Sequence, residues 1–126
     1  MKAILDTSVL IATDMQPLEG ELAISAAALA ELHFGVLITT DGAVRAERLR
    51  RLSDFQRKFD ALPIDDEVAT SYGQLAAAVA TAGRQPRARV MDLLTAATAH
   101  AHSARLYTRN AADLAGIEHL IEVVSV

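Results

Sequence analysis

Four carboxylates sit where a chain with only a core to build would gain little from them. Asp6 ends the apolar run Ala3-Ile4-Leu5. Glu31 is the only formal charge in Ala26-Ala27-Ala28-Leu29-Ala30-Glu31-Leu32-His33-Phe34-Gly35, and a carboxylate on such a helix is costly to bury without a partner. Asp92 interrupts Val90-Met91-Asp92-Leu93-Leu94, and Asp113 closes Leu106-Tyr107-Thr108-Arg109-Asn110-Ala111-Ala112-Asp113. Each has a plain structural alternative. Asp6 would cap a helix, although Thr7 or Ser8 could do so equally well. Glu31 would share a narrow solvent stripe with His33, Asp92 would complement a helix dipole, and Asp113 would be an ordinary loop acid.

Taken together, the four acids point to metal chemistry. Hard oxygen donors without Cys or a His set suit Mg²⁺ or Mn²⁺, which bind a few carboxylates and keep several waters. Such ions activate water and stabilise charge on a phosphate undergoing substitution. The chain has no cysteine, which excludes disulfides, zinc–thiolate sites and a thiol nucleophile. His33, His100, His102 and His119 have no ligand spacing and read as structural or surface residues. No Gly-rich phosphate loop is present, so nucleoside-triphosphate chemistry is disfavoured. An Asp-dependent phosphatase would want a second Asp two residues after Asp6, where Ser8 stands. A receiver domain would want a late Lys, and the only lysines are Lys2 and Lys58.

The elements that must position these acids alternate in type. Lys2–Leu5 and Leu22–Ile24 read as strands, and Leu62–Ile64 as a short third one. Arg105–Thr108 and Glu122–Val126 complete the strand set. Helices are expected over about Val9–Ala12, Ala26–Leu37, Val44–Phe59 and Val90–Ser103, with an Ala-rich one capped by Asp65 or Asp66 and running to about Ala82. Asp41-Gly42 reads as a turn, Gly83–Arg87 as a loop, and Asn110–Ala115 as a loop or one helical turn. Strands alternating with helices give an α/β class, an α/β/α sandwich on a mostly parallel sheet. In such sheets ligands collect beyond the carboxyl ends of the strands, where Asp6 and Asp113 both fall. With no linker and no repeat, residues 1–126 are expected to form a single domain.

At 126 residues and 52% hydrophobic, the chain can bury one core, and its 4% aromatic content means that Ala, Leu, Val and Ile must fill it. No apolar run is long enough to span a bilayer, and Asp6 falls too early for a signal-peptide core. A cytoplasmic protein with no membrane association is the expectation. The net charge of −4 argues against a nucleic-acid partner at first, but with four acids assigned to a metal site the remainder is neutral. The basic residues cluster in Arg45–Lys58 and Arg84–Arg89, which leaves room for locally basic surfaces; Arg45–Lys58 reads equally as the solvated face of one helix.

These segments, in this order, resemble the PIN-domain family and, within it, the VapC-type toxins of bacterial type II toxin–antitoxin pairs. Ile4-Leu5-Asp6-Thr7-Ser8 looks like the family's opening strand and first acid, and Ser25 through Glu31 to Gly35 like its second motif. Val90-Met91-Asp92-Leu93-Leu94-Thr95-Ala96-Ala97 is similar to the third, and Thr108-Arg109-Asn110 followed by Asp113 to the fourth. Leu114 replaces a residue that is often Phe in relatives.

The resemblance implies a homodimeric, Mg²⁺-dependent endoribonuclease acting on tRNA or rRNA (Mn²⁺ may substitute), neutralised by a cognate VapB-type antitoxin in a larger assembly. Asp6, Glu31 and Asp92 would hold the metal, with either Asp113 or Asn110 completing the set. Ser8 and Thr108 would orient the carboxylates. Arg84, Arg87, Arg89 and Arg109 are candidates for RNA phosphate contacts. A PIN-like module that binds without cutting is the alternative reading.

Overall fold

The first strand shows why the chain folds as it does. In β1 (Lys2–Leu5) the side chains alternate: Ala3 and Leu5 enter one hydrophobic cluster, and Ile4 enters another on the opposite face. A strand buried on both sides belongs at the centre of a sheet covered by helices on both faces. The computed structural model, which describes all residues 1–126, places it there. Four further strands, β2 (Glu21–Ser25), β3 (Ala61–Leu62), β4 (Arg105–Thr108) and β5 (Val123–Ser125), complete a sheet of order β3-β2-β1-β4-β5. Every pairing is parallel.

The helices are α1 (Thr7–Leu10), α2 (Ala26–Ile38), α3 (Gly42–Lys58), α4 (Asp66–Thr81) and α5 (Val90–Ala101). Single 3-10 turns lie at Pro86–Arg89 and Ala111–Leu114. Side chains of the types that favour N-caps start most of the helices. Ser25 accepts from the Ala27 amide at 3.1 Å, and Asp65 accepts from Val68 at 3.0 Å. Asp41 accepts from Val44 at 3.0 Å, so Asp41-Gly42 is the start of α3 and not a free-standing turn. Strand β3 stops at Leu62 because Pro63 has no amide hydrogen to extend the ladder.

Helices α4 and α5 pack Val68, Leu75, Val79, Leu93, Ala96 and Ala97 against the Ile4 and Leu106 face. The alanines of α5 carry almost no side chain, so α5 lies close against the sheet. The other face holds Ala3, Leu5, Ile24, Ala28 and Tyr107, with Phe55 of α3 and Phe59, which follows that helix, packed at its margin. No helix is long and apolar enough to cross a membrane.

This strand order has one functional consequence. The chain lays β2 and β3 on one side of β1, then returns to lay β4 and β5 on the other. The crevice outside the carboxyl ends of β1 and β4 is therefore a topological switch point, where open α/β sheets bind ligands.

Candidate active site

Asp6 stands at that crevice, in the position where β1 gives way to α1. It is 5% exposed, and both carboxylate oxygens are held. Oδ1 accepts from the Thr7 amide at 2.7 Å, which caps α1. Oδ2 accepts from the Thr108 hydroxyl at 2.7 Å and from the Ser8 hydroxyl at 3.0 Å. Those hydroxyls are fixed in turn: Ser8 Oγ accepts from the Arg109 amide at 2.9 Å, and Thr108 Oγ1 from the Asn110 amide at 3.0 Å. Asp6 is thus oriented by neutral donors only, and no cationic side chain pairs with it.

Glu31 lies on the second turn of α2, half-buried, and its Oε1 accepts from the Thr7 hydroxyl at 2.8 Å. From the sequence Thr7 reads only as a capping residue; in the fold it joins the first acid to the second through backbone and hydroxyl together. Burial pushes the Glu31 carboxyl above the ordinary range, the Thr7 hydrogen bond partly opposes this, and the charges of Asp92 and Asp6 push it further up. Asp92 occupies the first turn of α5. It too is raised, first by burial and then by Asp6, with Arg89 pulling down and Asp113 pushing up. Three acids from three separate elements therefore feel one another's charge.

They do not form a closed cage. No three acidic side chains stand close enough to clasp an ion between them, and the expectation of a ready-made four-carboxylate cluster is corrected on that point. Asp113, in the second 3-10 turn, is instead paired with Arg89 at 3.1 Å. Asn110 is exposed, and its side chain makes no hydrogen bond: its amide donates to Thr108 Oγ1 at 3.0 Å and its carbonyl accepts from the Asp113 amide at 2.9 Å. The donor set still fits a hard divalent cation. Asp6, Glu31 and Asp92 offer only oxygen, none is in a salt bridge, and an ion that keeps several waters needs only a few carboxylates.

The basic candidates are mostly committed within the protein. Arg84 donates to the Ala112 and Ala115 carbonyls at 3.0 and 3.2 Å, and Arg109 to Asp14 at 2.8 Å. Arg87 is exposed and makes no hydrogen bond or ion pair. On α3, Arg50 and Arg57 pair with Glu47 and Asp54 along their own helix. Arg51 reaches across to the carbonyls of Leu10, Ile11 and Ala12 at 2.8, 3.2 and 3.3 Å, satisfying the open end of the four-residue α1. Arg51→Ala is expected to destabilise the protein by about 2 kcal/mol, since hydrogen bonds from a charged donor are the strong ones. A urea midpoint unchanged from the parent would remove that role.

Residues 3–117 match the PIN domain. The chain belongs to the PIN-domain family. Among curated relatives, this PIN domain is 34% identical over 113 residues to ribonuclease VapC5 of Mycobacterium tuberculosis, covering 85% of this chain and 82% of that protein. It is also 34% identical over 100 residues to ribonuclease VapC8 of the same species, covering 76% and 88%. Among solved structures it resembles a chain of the VapBC-5 toxin–antitoxin complex of M. tuberculosis, with a TM-score of 0.82, 32% identity, and coverage of 99% and 98%. It likewise resembles a chain of FitAcB from Neisseria gonorrhoeae, with a TM-score of 0.78, 25% identity, and coverage of 98% and 96%. The α/β/α sandwich on a parallel sheet is thus the PIN-domain fold.

Proposed function

We propose that this PIN domain is a metal-dependent endoribonuclease, the toxin of a type II toxin–antitoxin pair, which cuts tRNA or rRNA in the cytoplasm as a homodimer. The observation that carries this reading is the group Asp6, Glu31 and Asp92 at the carboxyl edge of the sheet: three mutually repelling acids with no salt-bridge partner. Such an arrangement costs stability unless a cation joins it. The named ribonuclease relatives and the VapBC complex support the same reading.

Asp6, Glu31 and Asp92 would hold Mg²⁺, or Mn²⁺ in its place, with Asp113 or Asn110 completing the set. When bound, the ion supplies activation of a water and neutralisation of charge at the phosphate. Ser8 and Thr108 fix the rotamer of Asp6, so that this carboxylate meets the ion without reorganising. Thr7 does the same for Glu31. Arg87 is free to meet an RNA phosphate, whereas Arg84 and Arg109 serve mainly to brace the loops on which Asp113 and Asn110 lie. A cognate VapB-type antitoxin would hold the enzyme silent in a larger assembly.

Total RNA incubated with the purified protein tests the proposal. Cleavage is expected with Mg²⁺ or Mn²⁺, loss on chelation, restoration by added Mn²⁺, and suppression by the co-purified antitoxin. Cleavage that persists in chelator would overturn the metal dependence. Its absence under every condition would leave an RNA-binding module.

A further inference from the structure

A second feature lies beside the acids, on the α5 side of the crevice. The 3-10 turn Pro86–Arg89 and the 3-10 turn Ala111–Leu114 face one another across a cavity of about 230 Å³. Two guanidiniums link its walls. Arg84 is tied to the Ala112 and Ala115 carbonyls, and Arg89 to the Asp113 carboxylate. The space is therefore preformed and does not wait for a ligand to open it.

The lining is mixed in a particular way. Val79 and Leu93, both buried core residues, form an apolar floor, while Gln85 and Arg89 stand at the rim. An apolar surface with an amide and a guanidinium at its edge matches an unpaired nucleobase. The ring face takes the apolar contact, and the ring edge takes hydrogen bonds. The Gln85 carboxamide both donates and accepts, so it can meet a base edge of either polarity. Arg89 has five N–H donors, and its ion pair with Asp113 at 3.1 Å engages one terminal nitrogen, leaving donors for a phosphate oxygen. Asp113 itself lines the cavity, and Asp92 precedes the lining residue Leu93 on α5, so a base seated there lies beside these acids.

We propose that this cavity is a base-binding subsite for the unpaired nucleotide beside the scissile phosphate, with Gln85 as its specificity-determining residue and Arg89 as a phosphate contact. The inference rests on the ribonuclease reading for its biological use, but the subsite itself can be measured without cleavage.

The test uses two variants of the full chain. Ala88→Trp places a ring from an exposed position into the cavity that Ala88 lines, and Gln85→Ala removes the edge contact from an exposed loop. Fluorescence anisotropy of labelled single-stranded RNA oligonucleotides that differ in one base is read in EDTA. Sequencing of cleaved ends is read in Mg²⁺. Ala88→Trp is expected to weaken oligonucleotide binding on the order of tenfold, the value of one stacked base. Gln85→Ala is expected to flatten the base preference at one position next to the cut. If Ala88→Trp fails to fold by circular dichroism, Gln85→Ala alone decides. Unchanged binding and an unchanged cut pattern would overturn the subsite even if the wild-type protein cleaves RNA. Base-dependent binding in EDTA that Ala88→Trp abolishes would support it even if the wild-type protein cuts nothing, and in that case the ribonuclease reading alone would fall.

Discussion

Asp6→Asn is expected to abolish RNA cleavage while leaving the fold in place. Asn is as good an N-cap as Asp, so its side-chain oxygen keeps the Thr7 amide bond that starts α1. The hydroxyls of Ser8 and Thr108 can each turn to accept from the new amide group, so the hydrogen bonds survive with reversed direction. The negative charge does not survive. Alterations one layer out from a metal ligand cost about 10–100-fold, so removal of the best-oriented ligand charge should exceed about 10²-fold in the single-turnover rate. Thr108→Val is the informative companion. It deletes one of the two hydroxyls on Asp6 Oδ2 and leaves the ligand charge intact, so a loss of about tenfold in apparent Mg²⁺ affinity is expected. Because it also strands the Asn110 amide, its melting temperature should fall where that of Asp6→Asn does not. Cleavage by Asp6→Asn within threefold of the parent would remove Asp6 from the mechanism.

That contrast also shows what could be read from the chain before folding. Asp6, Glu31 and Asp92 stand out because each interrupts an apolar stretch, a local property. The strand and helix alternation is local too, and hence so is the choice of an α/β sandwich. After Lys2, β1 continues with the consecutive apolar residues Ala3, Ile4 and Leu5, all buried, as a strand covered on both faces requires. The partners of these acids are not local. Thr108 lies 102 residues from the carboxylate that it holds, and Thr7 lies 24 from Glu31. Nothing in Thr7's own neighbourhood distinguishes a capping hydroxyl from one that serves a second acid, because sheet topology alone brings α2 beside α1. The same holds for the arginines. Arg84, Arg89 and Arg109 look like free phosphate ligands in a linear sequence, and folding supplies each with an internal acceptor. Asp113 is the sharpest case. Its place after a strand suggests a metal ligand, and the fold also sets it 3.1 Å from the Arg89 guanidinium, a pairing that no periodicity encodes.

The metal-free protein is expected to lose stability as pH rises, and Glu31→Gln to reverse much of that loss. The sign follows from the raised carboxyls. Glu31 and Asp92 hold their protons more tightly in the folded state than in the unfolded chain, where they titrate near 4.5 and 3.8. Below those values both states are protonated and the folded protein carries no penalty. As pH rises through the raised folded values, the unfolded chain has already released its protons, and the folded state must ionise two half-buried acids against Asp6 and each other. The exposed acids Asp14, Glu47 and Glu118 are shifted the other way by hydrogen bonds, so the wild-type curve alone mixes both signs. The difference between wild type and Glu31→Gln isolates one member of the repelling group. Gln keeps an oxygen for the Thr7 hydroxyl and carries no charge, so the variant should melt higher than wild type in EDTA at pH 8 and close to it at pH 4. Mg²⁺ reverses the ranking. A ligand that binds only the folded state stabilises by mass action and needs ionised carboxylates, so wild type should gain more from Mg²⁺ at pH 8 than at pH 5, and Glu31→Gln should gain little at either. Thermal melts in EDTA and in Mg²⁺ across that range measure all of these quantities at once. If Glu31→Gln melts below wild type in EDTA at pH 8, the Glu31 charge stabilises the empty site, and the account of three acids waiting for a cation is wrong.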